Sequence, residues 1–177
     1  MTPRSAAPLD RPTPAERLAA ELTRQRMTLT LAESCTGGLI AKQLTDLPGA
    51  SAFLIAGIVA YANQAKEQFL GVRRETLELH GAVSEAVARE MALGARDRLG
   101  ADAAVAVTGI AGPGGGSPTK PVGTVWIAAV FGDEVRARHC LFDGDRAEIR
   151  ERAVDAALAL LLEVLESAAE GGAEVGR

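Results

Sequence analysis

A chain of 177 residues is long enough for one domain with a sizeable core, and with 47% hydrophobic but only 3% aromatic residues that core must be built from Ala, Val, Leu and Ile. Lysine and arginine number 19 against 23 acidic residues, a net charge of −4 that argues against a sequence-nonspecific nucleic-acid binder and leaves room for a local basic pocket. Two distant cysteines, Cys35 and Cys140, make no disulfide framework and, with His80 and His139, no zinc-ligand spacing, so no metal or cofactor is expected and a reduced, cytoplasmic setting is the simplest reading.

Residues 1–12 read as a disordered tail, rich in proline and without the apolar core of a secretory signal. Thr13-Pro14-Ala15-Glu16 is a helix start with a capping residue, proline at the first position and glutamate three after the cap; Leu18, Ala19, Leu22 and Met27 carry the helix to about residue 26. Thr28 to Ala32 is a short strand that runs through Glu33-Ser34-Cys35-Thr36-Gly37-Gly38 into a helix closed by Pro48-Gly49. The apolar run Ala52–Ala62 is too short to span a bilayer, so no membrane partner is expected; within it Ile55 to Tyr61 is predicted to be a strand buried on both faces. Asn63 is placed to cap a helix over Gln64–Leu70 ended by Gly71.

A short helix over 73–80 follows, then one capped by Ser84 and running to Leu99, with Val87, Met91 and Ala95 on one face. Asp102 to Thr108 reads as a strand, and the loop GIAGPGGGSPTKP after it is too rich in Gly and Pro for regular structure. Val122–Phe131 and Glu134–Phe142 form a hairpin about Gly132-Asp133, and a leucine-rich helix spans 145–168 before a frayed tail at 171–177. This alternation predicts an α/β chain: a three-layer α/β/α sandwich with a mixed sheet, folded as a single domain over 13–170. The apolar C-terminal helix suits either its own core or a second subunit of a homo-oligomer.

The candidate chemistry lies between Leu31 and Lys66. No P-loop, Rossmann context or zinc-hydrolase pattern is present, and neither histidine sits in a glycine-rich turn. A serine nucleophile would therefore take a lysine base, and Lys66 is the candidate. A lysine must be neutral to serve, which burial and the positive end of its own helix favour. Two serines compete. Ser34 has the strand–turn–helix setting of a nucleophile elbow; Ser51 lies on the turn before the apolar strand, with Lys66 returning 15 residues later. The plain alternative is that Ser34 or Thr36 caps one helix and Ser51 one turn.

The segments LAESCTGGLIAKQLTDLPGAS, VAYANQAK, GAVSE, VAVTGIAGP, KPVGTVWIA and FDGDR together resemble the CinA C-terminal-domain family over about residues 15 to 165. The resemblance implies an α/β/α fold and hydrolysis of the carboxamide of nicotinamide mononucleotide (NMN) in pyridine nucleotide salvage. It implies Ser51 as nucleophile, Lys66 as base and Tyr61 as their assistant, with Ser34, Thr108 and Arg146 lining the site. Thr36, Gly37, Gly38 and Gly109 then join the substrate-binding and oxyanion candidates, and Arg146 is a candidate for the substrate phosphate. Ala62 and Ala56 stand where the family commonly has Ser or Thr, and Gly; neither removes a reacting group. The alternative is a non-catalytic nucleotide-binding module tied to competence or DNA damage.

Overall fold

The computed structural model of the chain describes residues 12–174. The expected N-terminal tail, apart from Pro12, and residues 175–177 lie outside these. The first helix, α1 (Pro14–Gln25), begins as its sequence dictates: Thr13 Oγ1 accepts the Glu16 N–H at 3.2 Å, and the Glu16 carboxylate accepts the Thr13 N–H at 2.7 Å. The chain continues through β1 (Leu29–Glu33), α2 (Leu39–Thr45), a single 3-10 turn (Ala50–Ala52) and β2 (Leu54–Val59). Then come α3 (Asn63–Leu70), α4 (Arg74–His80), α5 (Glu85–Leu99), β3 (Ala103–Gly109), β4 (Thr124–Phe131), β5 (Glu134–Leu141) and α6 (Arg146–Glu174).

The five strands form one mixed sheet in the order β2-β1-β3-β4-β5. β1 runs parallel to both β2 and β3, while β3, β4 and β5 are antiparallel in succession. Because side chains alternate along a strand, neighbouring residues serve different layers. Leu29, Leu31, Val105, Val107 and Ile127 pack against α1, α2 and α6. Ala32, Ala104, Ala106, Ala128 and Val130 pack against α3, α4 and α5. The second face is mostly alanine, so α5, itself presenting Ala88, Ala92 and Ala95, lies close on the sheet.

Close packing extends to α3. A Cβ placed on Gly94 of α5 would overlap the carbonyl oxygen of Leu70, which is backbone and has no rotamer to escape by. Gly94→Ala is expected to cost about 3 kcal/mol through overpacking. For a chain of this size that lowers the unfolding midpoint by roughly 6–12 °C, read by thermal denaturation.

Four local expectations are corrected. β2 is not buried on both faces; it is the edge of the sheet, with Ile55 44% and Val59 48% exposed. A continuous apolar run does not distinguish a central from an edge strand. Asn63 does not cap α3: the capping position falls on Ala62, which makes no side-chain bond. β4 begins at Thr124 rather than Val122, since Gly123 turns the chain with φ +93°. α6 continues through Glu174, past the expected end at 168.

Candidate active site

β1, β2 and β3 end side by side, and the chains leaving them part: α2 covers one face of the sheet and α3 the other. A crevice at the carboxyl ends of parallel strands is where open α/β sheets bind ligands. Here it is a cavity of about 280 Å³, lined by Ser34 after β1, Tyr61 and Lys66 after β2, and Thr108 and Gly109 at the end of β3. Its other walls come from residues 82–83, the glycine loop 110–115 and Arg146. Among the described residues no carboxylate lines it, and Lys66 and Arg146 are its basic side chains, on a chain of net charge −4.

Ser34 follows the last residue of β1, and its N–H donates to the Val107 carbonyl at 3.0 Å, which holds it to β3. Its side chain does not cap α2. Glu33, wholly buried, does that: its carboxylate accepts the N–H groups of Gly38 at 3.0 Å, Ile40 at 3.2 Å and Ala41 at 2.9 Å. A carboxylate at a helix N-terminus satisfies its free donors and suits its dipole. Thr36, also wholly buried, makes no capping bond and its hydroxyl has no partner among the described residues. Two consequences follow. Ser34 is free for other work, and the α2 donors beside the substrate-binding candidates Gly37 and Gly38 are already taken by Glu33.

Lys66 sits one turn into α3, and its side chain runs back toward the start of that helix. Only 1% of it is exposed. Its Nζ lies 3.1 Å from Ser34 Oγ, 2.9 Å from the Ala60 carbonyl and 3.1 Å from the Tyr61 carbonyl. No carboxylate pairs with it among the described residues. Burial holds its pKa below the ordinary lysine value. A neutral amine has two N–H groups and one lone pair. The two carbonyls can take only the N–H groups, so the lone pair is left for the Ser34 hydroxyl. Beside it, burial pushes the Cys35 thiol up to about 11, which keeps it protonated and a poor nucleophile at neutral pH.

At the mouth, Arg146 opens α6. Its Nη1 donates to the Gly112 carbonyl at 2.7 Å and its Nη2 to the Tyr61 hydroxyl at 2.9 Å. It does not pair with Asp143 or Asp145; Asp145 instead accepts the N–H groups of Ala147 and Glu148 at the start of α6. Thr108 Oγ1 donates to the Ala82 carbonyl at 2.8 Å. Gly109 is tight: a Cβ there would stand 2.8 Å from Val125 Cγ2 and 3.0 Å from Cys35 Sγ. Gly37 and Gly38, both at positive φ, shape the turn into α2 and do not line the cavity.

Ser51 is not brought to Lys66. It is exposed in the 3-10 turn that enters β2, whereas Lys66 lies beyond that strand's other end. Six residues of strand separate them, roughly 20 Å at ~3.3 Å per residue. A lysine one helical turn past the far end of a strand cannot return to that strand's start. It meets instead the serine at the matching end of the neighbouring parallel strand, which is Ser34. Two contributors escaped the reading of the sequence. Lys120, from the glycine loop, donates to the carbonyls of His80 at 2.7 Å and Val83 at 2.8 Å and so ties that loop across the cavity wall. Arg150 donates from α6 to the carbonyls of Cys35 at 3.1 Å and Thr36 at 2.7 Å. Arg150 is four residues past Arg146 on a helix, the one sequence signal that places both on the same face. Among the described residues no cluster of three or more His, Cys, Asp or Glu side chains is arranged to hold a metal ion, and no helix is long and apolar enough to cross a membrane.

Fold and cavity together define an α/β protein with a serine–lysine pair buried where its parallel strands end, in a cavity with an arginine at its mouth. The chain belongs to the CinA C-terminal domain family, which matches residues 12–165. It is 51% identical over 148 residues to the nicotinamide-nucleotide amidohydrolase PncC of Escherichia coli K12, covering 82% of this chain and 89% of that protein. It is 52% identical over 147 residues to a CinA-like protein of Akkermansia muciniphila, covering 82% of this chain but 36% of the relative. The chain thus spans about a third of the length of the CinA-like relatives it matches. Among solved structures, a CinA superfamily protein from Klebsiella pneumoniae superposes with a TM-score of 0.84 at 41% identity, over 87% of this chain and 96% of that one. The competence/damage-inducible protein CihA of Agrobacterium tumefaciens gives 0.83 at 47% identity, over 85% and 92%.

Proposed function

We propose that this chain hydrolyses the carboxamide of NMN to nicotinate mononucleotide and ammonia, in the cytoplasm and as part of pyridine nucleotide salvage, with Ser34 as nucleophile and Lys66 as its base. The observation that carries the reading is the 3.1 Å approach of a buried lysine amine to Ser34 Oγ, with both its N–H groups directed to carbonyls. The 51% identity to an amidohydrolase of matching length supports the substrate.

In this reading the neutral Lys66 amine takes the Ser34 proton as Oγ adds to the amide carbon. The tetrahedral intermediate collapses when the lysine ammonium returns that proton to the amide nitrogen, and ammonia leaves. Water then adds to the acyl-enzyme, giving a proton to Lys66, which passes it to Ser34 Oγ as that bond breaks; the free acid leaves as the carboxylate, its proton lost to solvent. Tyr61 acts twice: its carbonyl orients the lysine, and its hydroxyl holds Arg146 at the mouth. Arg146, without a carboxylate partner among the described residues, faces the substrate phosphate.

Ammonia release from NMN, nicotinamide riboside and nicotinamide tests this. Turnover of NMN is expected, with kcat/KM for the riboside lower by about 10–10² fold, since a hydrogen bond to a charged group is worth ~1.5–3 kcal/mol. NMN bound in a calorimeter but never hydrolysed would leave a binding module in its place.

A further inference from the structure

The turn that carries Ser34 is held from outside the cavity. Ser34 to Gly37 form a β-turn closed by the Gly37 N–H on the Ser34 carbonyl at 3.1 Å. Arg150 adds two bonds from α6, to the carbonyls of Cys35 and Thr36. In a trans peptide the N–H points opposite to the C=O. With the Thr36 carbonyl drawn to Arg150, the Gly37 N–H is aimed at Ser34; with the Ser34 carbonyl engaged by Gly37, the Cys35 N–H is turned away from the turn's interior. Among the described residues that N–H bonds to no residue but its own, facing the Cys35 thiol, and Cys35 lines the cavity.

A second donor stands opposite. Ile110 N–H bonds to β4 at the Thr124 carbonyl, 2.8 Å away. In an antiparallel ladder the groups of successive residues alternate in direction, so those of Gly109 point away from β4, toward the chain leaving β1. The β1–β3 pairing has ended there, at Glu33 with Val107, because the Ser34 carbonyl has turned to Gly37. The crowding about Gly109 keeps any side chain from covering this spot.

We propose, resting on the Ser34 reading above, that the Cys35 and Gly109 N–H groups are the donors that receive the oxyanion of the tetrahedral intermediate. Arg150 is the positioning residue that keeps the first of them aimed. It touches no reacting atom; it acts through the peptide planes of the turn. Both donors are backbone groups fixed before substrate arrives, which is what makes such a site effective.

The test uses Arg150→Met, Arg150→Lys and Ser34→Ala, assayed with NMN and with its thiocarboxamide analogue, whose sulfur is poorly served by an oxyanion site. Arg150→Met is expected to lose kcat by on the order of 10²-fold with KM within about twofold, because donor loss acts in the transition state. Its preference for oxygen over sulfur should shrink in step. Arg150→Lys, which retains one donor and the fold should the methionine variant unfold, should recover part of both. If Ser34→Ala is inactive while both Arg150 variants keep wild-type kcat and oxygen preference, this inference falls and the parent reading stands. A loss carried by KM alone, with the oxygen preference unchanged, also overturns it. If Ser34→Ala itself turns over, the parent reading has failed first.

Discussion

Ser34→Ala is expected to reduce ammonia release from NMN by at least about 10⁴-fold, while Ser51→Ala keeps wild-type turnover. The contrast is sharp because the two serines lie at opposite ends of β2 and its neighbour β1. Ser34 is 8% exposed and in hydrogen-bond reach of the buried amine; Ser51 is exposed on a 3-10 turn with no basic group bonded to it among the described residues. Removing Oγ from Ser34 leaves the cavity shape and Arg146 intact, so NMN binding should persist in the inactive variant. The double variant Ser34→Ala with Lys66→Met should be no slower than either single one, because nucleophile and base act as a unit. Steady-state ammonia assays with calorimetric NMN titration read all three. Full activity in Ser34→Ala would return the nucleophile to Ser51 or elsewhere.

The second large effect is on Lys66. Lys66→Met and Lys66→Arg should lose turnover to the same extent as each other, the deficit growing with pH as the wild-type amine becomes neutral, since neither offers a lone pair; a guanidinium stays protonated throughout. In the wild-type protein the active form is the neutral amine. Burial lowers its pKa, so log kcat/KM should climb with unit slope as pH rises and level off below the ordinary lysine value of about 10.4. Cys35, protonated until about pH 11, adds no limb in that range. The linked effect on stability has the same sign. Between the folded and the unfolded pKa the unfolded chain holds one more proton, so stability rises with pH across that window and is flat below it. Lys66→Met lacks this rise. Urea unfolding of both proteins from pH 6 to 10 isolates it, and parallel curves would show that Lys66 is not depressed.

Much of the architecture was legible in the order of residues. The capping box at Thr13, the Ser84 cap, the Gly132-Asp133 hairpin and the strand–helix alternation each depend on contacts within a few positions, and each is found where its chemistry points. The three-layer α/β/α sandwich follows from that alternation. So does the depressed lysine, since Lys66 follows an apolar strand and sits near the start of its own helix.

Which serine Lys66 meets was not legible. In sequence Ser51 is 15 positions from Lys66 and Ser34 is 32, yet proximity along the chain is misleading when a strand intervenes. The strand carries the chain away from Ser51, and parallel pairing of β1 with β2 sets Ser34 beside the point where α3 begins. Glu33 reads as a polar residue ending a strand; only the fold shows its carboxylate satisfying three α2 donors and so releasing Ser34 from capping. Arg150 and Lys120 reach the site from 114 and 37 residues away from the carbonyls they hold, and a donor that bonds only backbone leaves no partner to be recognised in sequence. Residue types and local spacing determined the elements and the kind of chemistry. The pairing order of the strands, a long-range property, decided which serine faces the lysine.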